Sequence, residues 1–239
     1  MKPSTTTLQI DGISVNVTRK AIKTMRLAVY PPDGEVRMSV PQRVSERNVR
    51  RVIVSRLGWI RKQQAKIAAR PVVPEPQFVS GDTVDTWGRR VTLEVIERNA
   101  APSVAVGEDG VLRLYVRPGS TVDKRAAVIK QWYRDQIHQR LPELLAKWQP
   151  VVGKRVAEVK TRWMKTRWGS CIIRDHRIWL NAELARYPEV YLEYVLVHEM
   201  VHLYERKHNH RFYGYMDRFF PDWREYRTEL RQVSRHGMP

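Results

Sequence analysis

The residues best placed to do chemistry form one short run, His198-Glu199-Met200-Val201-His202. In a helix, positions i and i+4 share a face, so His198 and His202 can offer two imidazoles to one metal ion. Glu199 directly follows the first imidazole, where its carboxylate can act as general base on a metal-bound water. Residues 191–197 are mostly apolar, which predicts a buried helix carrying three polar groups. Burying such groups without partners is costly. A Zn2+ ion would satisfy all three, and the chemistry implied is metal-assisted hydrolysis.

A third ligand is needed, and the sequence offers more than one. His208 lies six residues after His202, the spacing of the extended H-E-x-x-H-x-x-G-x-x-H pattern. The glycine of that pattern is replaced here by Glu205. Six residues along a straight helix point to nearly the opposite side. The helix is therefore expected to end or bend within residues 206–209, with Asn209 able to take the left-handed conformation that stops helices. His210 is the rival ligand, or else a group facing the substrate. A carboxylate from the next helix, Glu225 or Glu229, would complete the other known arrangement, two His and one Glu. The spacing favours His208.

The elements that must position these groups can be read in order. Leu8 and Ile10 alternate with Ile13, Val15 and Val17 around Asp11-Gly12, the signature of a hairpin. Leu27 and Val29, then Val36, Met38 and Val40, suggest a second hairpin across residues 31–34. Residues 45–69 switch to helical period, with Ser45 as N-cap. The run P-V-V-P-E-P at 71–76 reads as a stiff connector. Strands resume at 91–96 and 111–116, and residues 121–148 form a long amphipathic helix in which Pro142 is expected to introduce a kink. Trp132 and Trp148 belong to its apolar stripe, and His138 beside it is read as a surface group. Residues 156–164 and 177–180 suggest another hairpin, with a tight turn at Trp168-Gly169-Ser170. Pro188 opens the helix that carries the histidines, and Pro221 separates two further helices. No internal repeat is visible.

Composition bounds the class. The chain has 239 residues, 42% hydrophobic and 28% charged, enough for one large domain or two small ones. No apolar run is long enough to span a bilayer, and the first residues lack the apolar segment of a signal peptide. A single cysteine, Cys171, excludes an internal disulfide framework. The expected location is cytoplasmic. The net charge of +18 predicts attraction to polyanions, with nucleic acid the candidate partner. No helix-turn-helix, zinc-finger or RNA-binding signature accompanies it. Cys171 could be a nucleophile, a switch ligand on the metal or a small core thiol; the last is the simplest reading.

M-K-T-R-W-G-S-C at 164–171, I-W-L-N at 178–181, Y-V-L-V-H-E-M-V-H-L at 194–203 and then H-N-H-R-F together resemble the YgjP-like metallopeptidases, relatives of the SprT-like zinc proteases. The N-terminal half resembles them as well, in its strands, in W-I-R-K-Q at 59–63 and in Trp132-Tyr133. The resemblance implies an α+β fold. An N-terminal β-rich region with one long helix (1–120) would precede a zinc metallopeptidase catalytic domain (121–239) with a zincin-like helical core and a small sheet. It implies His198, His202 and His208 as zinc ligands, Glu199 as general base, and a protein or peptide as substrate. The alternative is a basic, nucleic-acid-associated protein whose zinc is structural or which acts on DNA-bound proteins.

Overall fold

The computed structural model describes residues 4–30, 33–69 and 76–237. The chain divides into two compact units, Met1–Pro74 and Glu75–Met238.

In the first unit, β1 (Ser4–Ile10) and β2 (Ile13–Lys20) form the expected hairpin. Its turn places Asp11 and Gly12 at φ 52° and 77°, the primed geometry that matches strand twist. β3 (Arg26–Tyr30) pairs antiparallel with β4 (Glu35–Pro41), and β4 runs parallel to β2. The sheet order is β1-β2-β4-β3. Alternation puts Leu8, Ile10, Val15, Val17, Val36, Met38 and Val40 on one face, where they join Val49, Ile53 and Ile60 in a core. The single helix expected over 45–69 is two: α1 (Glu46–Ser55) and α2 (Leu57–Ala68). Ser45 caps α1 as expected, its side chain accepting from the Asn48 N–H. Arg56 breaks the run at φ −114°, its N–H donating to the Ile53 carbonyl. The weak helix formers Ser55 and Gly58 flank that break. The proline-rich connector lies largely outside the described residues.

The second unit opens with β5 (Thr83–Thr86), β6 (Arg89–Glu97), β7 (Ser103–Val106) and β8 (Leu112–Val116), in the order β5-β6-β8-β7. β6 is parallel to β8, as β2 is to β4, so the two units share a topology that no sequence repeat betrays. β5 and β7, four residues each, are too short to leave a readable alternation. α3 (Val122–Val152) follows, capped by the Thr121 side chain and ended by left-handed Gly153; Pro142 and Pro150 lie within it. Its buried stripe, including Trp132, Ile137, Leu141 and Trp148, shares one core with Leu93, Leu112 and Leu114 of the sheet. The compact units therefore part at 74/75 rather than at residue 120, because β5–β8 pack on α3.

The third sheet departs from expectation. β9 (Glu158–Arg162), β10 (Gly169–Ile172) and β11 (Arg177–Asn181) lie in the order β10-β11-β9. β9 and β11 are parallel neighbours, so they are not the two arms of a hairpin. The hairpin partner of β11 is β10, joined to it by a 3-10 turn at Ile173–Asp175 and left-handed His176. The stretch read as a tight turn at Gly169 thus begins a strand. Three helices complete the unit: α4 (Glu189–Val201), α5 (His210–Phe219) and α6 (Trp223–Gly237). Pro188 sits at the N-cap of α4 rather than inside its first turn. No helix among the described residues is long and apolar enough to cross a membrane.

Leu114 is fully buried where β8 meets α3, while Val106 is 54% exposed. Leu114→Ala should cost about 2–5 kcal/mol and Val106→Ala within about 0.5 kcal/mol, measured by urea unfolding.

Candidate metal centre

α4 is apolar almost all round, with Leu192, Val195, Leu196, Val197, Met200 and Val201 all buried. A helix of that kind belongs inside a core. It carries His198 and His202 one turn apart, ring centroids 5.2 Å from each other. The helix ends at His202, earlier than expected, and the chain turns through the Leu203 and Tyr204 N–H groups, which donate to the Met200 and Val201 carbonyls. Asn209 does not stop α4. At φ −105° it is the N-cap of α5, its side chain accepting from the Phe212 N–H. The segment between brings His208 back over the other two rings, at centroid distances of 4.9 Å from His198 and 4.8 Å from His202. Phe212 packs against all three imidazoles at 4.7–4.8 Å.

Candidate ligand atoms of His198, His202 and His208 lie within 4.8 Å of one another, and no further His, Cys, Asp or Glu among the described residues joins them. The structure brings His208 into the group and leaves out His210, the exposed first residue of α5. Glu229 is occupied elsewhere, accepting from the Tyr191 hydroxyl at 2.7 Å. Tyr204 donates to the Val152 carbonyl at 2.7 Å, which engages one of the hydroxyls that could have served an oxyanion.

The donor set fits zinc on three counts. His202 Nδ1 lies 3.0 Å from the Glu205 carbonyl. A carbonyl only accepts, so Nδ1 carries the proton and Nε2 keeps a free lone pair. His198 Nε2 and His208 Nε2 lie 3.0 Å apart, and His198 Nδ1 is buried without a partner. All three rings are held neutral, the form that binds metal. Burial, then the charges of His202, His208 and Arg227, lowers His198 to about 3. Burial likewise lowers His202, against the pull of the Glu205 carbonyl, and lowers His208, with help from His202 and Arg227.

Glu199 is 5% exposed. Burial pushes its carboxyl up to about 8, opposed by the charge of Arg167. Gly169, the first residue of β10, packs directly on it. A Cβ there would stand 2.7 Å from Glu199 Oε1 and 2.9 Å from Val195 Cγ1. The glycine therefore leaves room for the carboxylate rather than for a bend. Its position is fixed by Asn181, fully buried at the end of β11. The Asn181 amide donates to the Met164 and Arg167 carbonyls at 2.9 and 3.0 Å, and its oxygen accepts from the Met164 N–H at 3.2 Å. The Asn181 backbone N–H donates to the Trp168 carbonyl at 2.8 Å. Cys171, further along β10, is pushed up to about 12 by burial and by the Glu199 charge, which favours the thiol over the thiolate. Gly169, Asn181, Phe212 and Arg227 are site residues that the sequence reading does not assign; the first three lie in the W-G-S-C, I-W-L-N and H-N-H-R-F runs, and Arg227 has no signal in the sequence.

A family model described as YgjP-like, metallopeptidase domain, matches residues 23–233. No curated protein matches the chain significantly. Among solved structures, the metallopeptidase zymogen abylysin of Pyrococcus abyssi is similar at 20% identity and TM-score 0.37, over 41% of this chain and 98% of that one. The metallopeptidase zymogen jannalysin of Methanocaldococcus jannaschii is similar at 17% identity and TM-score 0.33, over 38% of this chain and 93% of that one.

Removing a ligand should empty the site. His198→Ala, His202→Ala and His208→Ala are each expected to lose the metal found in the wild-type protein by elemental analysis, whereas His210→Ala retains it.

Proposed function

The chain belongs to the YgjP-like metallopeptidase family, and on that premise we propose that it is a zinc-dependent peptidase with His198, His202 and His208 as ligands and Glu199 as general base. The observation that carries the proposal is the convergence of three neutral imidazoles on the helix that also buries Glu199. A structural zinc is expected to have four protein ligands, and a catalytic one three. The group here has three, which supports a hydrolase over a structural site.

Bound zinc supplies Lewis acidity and a water made acidic near neutral pH. The residues of the chain do the rest. Glu199 takes the proton from the attacking water and returns it to the leaving amide nitrogen. Phe212 closes one side of the three rings and restricts water there. His202 is held in one tautomer by the Glu205 carbonyl.

An extended substrate pairs with a strand that has a free edge, and β11 has none, with β10 and β9 on its two sides. The edges belong to β10 and β9, and it is the first residue of β10 that packs on Glu199. We therefore place a peptide substrate along β10, held by main-chain hydrogen bonds that tolerate many sequences. A protein or peptide substrate in a reducing cytoplasm is compatible with a single cysteine held as a thiol.

Two variants test the roles. Glu199→Gln should keep its metal and lose peptide cleavage by about 10²–10⁴-fold; undiminished cleavage would reject the mechanism. Gly169→Ala should also keep its metal, because the atoms nearest the added methyl belong to Glu199 and Val195 and not to a ligand. Its kcat should fall, because Glu199 must move away from a Cβ placed 2.7 Å from its oxygen. Elemental analysis beside a steady-state assay on an unstructured protein substrate reads both.

A further inference from the structure

The charge of the protein is not spread evenly. Residues 1–74 hold 15 Lys and Arg against four Asp and Glu, a net +11 in under a third of the chain. The same residues include neither His nor Cys, so this unit brings no imidazole and no thiol. Three of its four carboxylates are already paired, Glu35 with Arg37, Glu46 with Arg50 and Asp11 with Arg61. The other described lysines and arginines of the unit have no carboxylate partner among the described residues.

The helices present many of these charges outward. In α1, Val49 and Ile53 face the core, while Arg47, Arg50 and Arg51 are exposed on the other side. In α2, Ile60 is buried, and Trp59, Lys62 and Lys66 form an exposed stripe at i, i+3 and i+7, spanning about 10 Å. Trp59 is 39% exposed. Its indole makes no hydrogen bond, ring contact or cation–π contact among the described residues. An indole left open on the same stripe as two ammonium groups, on a helix whose other large apolar residues, Leu57, Ile60 and Ile67, are buried or half-buried, has the chemistry of a surface that stacks a base and neutralises the neighbouring phosphates. A membrane surface would want a broad apolar stripe on the outward face, and of the large apolar residues of α1 and α2 only Val54 and Trp59 are exposed.

We propose that the outward face of α1 and α2, with Trp59, Lys62 and Lys66 at its centre, binds single-stranded nucleic acid. Phosphates pair with the basic side chains, and a base stacks on Trp59. Duplex DNA, whose bases are already stacked, cannot use the indole, so the single strand is the preferred ligand. This surface shares no residue with the metal centre, and its assignment stands without the peptidase reading.

The test is fluorescence anisotropy of the full-length protein with a labelled mixed-sequence single strand, its duplex and, separately, vesicles of phosphatidylcholine with phosphatidylserine. The single strand should bind more tightly than the duplex, with affinity falling steeply as salt rises. Lys62→Glu with Lys66→Glu should weaken it at least tenfold. Trp59→Ala should weaken it by roughly tenfold while leaving the salt slope unchanged, because no charge is lost. Lys124→Glu with Lys130→Glu, an equal charge change on exposed positions of α3, should leave binding within twofold. Far-UV circular dichroism and metal content check that each variant is folded. The proposal is overturned if no oligonucleotide binds at low salt, if the two charge reversals weaken binding equally, if duplex binds as well as the single strand with Trp59→Ala inert, or if only the vesicles bind.

Discussion

The structure depends on how three titratable side chains are kept inside an apolar helix. His198, Glu199 and His202 occupy one turn of α4 whose other residues are buried hydrocarbon. Ionised, any of them would lose far more hydration than the core returns. The protein meets that cost by holding the rings neutral and aiming their lone pairs at one point, and by holding the carboxyl near the edge of protonation. A divalent cation at that point changes the balance, since its charge opposes the desolvation of the carboxylate and uses the lone pairs. The three imidazoles that burial keeps neutral are the nitrogen ligands that a divalent ion such as zinc takes.

Everything nearby is arranged around that turn. α4 has to stop after His202, because a third imidazole six residues on cannot reach the same side of a straight helix. Asn209 then starts α5 in a new direction, and Phe212, three residues along, packs beneath the rings. On the other side the carboxylate of Glu199 rests on Gly169, and β10 can come that close only because Asn181 ties down the crossing loop before it. Asn181 is buried with its amide satisfied by that loop, so its hydrogen bonds fix where the chain enters β10.

What the sequence disclosed, it disclosed locally. The i, i+4 histidines, the Asp11-Gly12 hairpin, the Ser45 cap and the apolar stripe of α3 each depend on a few neighbouring residues, and each stands in the structure. The α+β class follows from the same local periods. What it concealed is non-local. The pairing of β9 with β11 is parallel, and the signal for parallel neighbours lies in a crossover rather than in a turn. Gly169 looked like a turn residue because glycine usually marks one, and its actual reason, the approach of Glu199, is a contact thirty residues away. The break at Arg56 escaped because the apolar spacing continues through it.

The two sheets of four strands add a last point about how such a chain is built. Each has a hairpin, a second hairpin and a parallel join between them, followed by helix. In the first the helix breaks and covers its own sheet with Val49, Ile53 and Ile60. In the second α3 is a single helix of 31 residues, long enough to pack against β5–β8 and still share a core with α4 and β11. The longer helix is what lets one sheet join the core around the histidine helix while its topological counterpart closes on itself. A closed core needs no ligands or bases, and residues 1–74 contain no His or Cys to supply them. What that unit keeps is surface, and its surface is basic. The same arrangement of strands therefore shares a core with the helix of the histidines in one unit and with its own two short helices in the other, and the following helix is continuous in the first case and broken in the second.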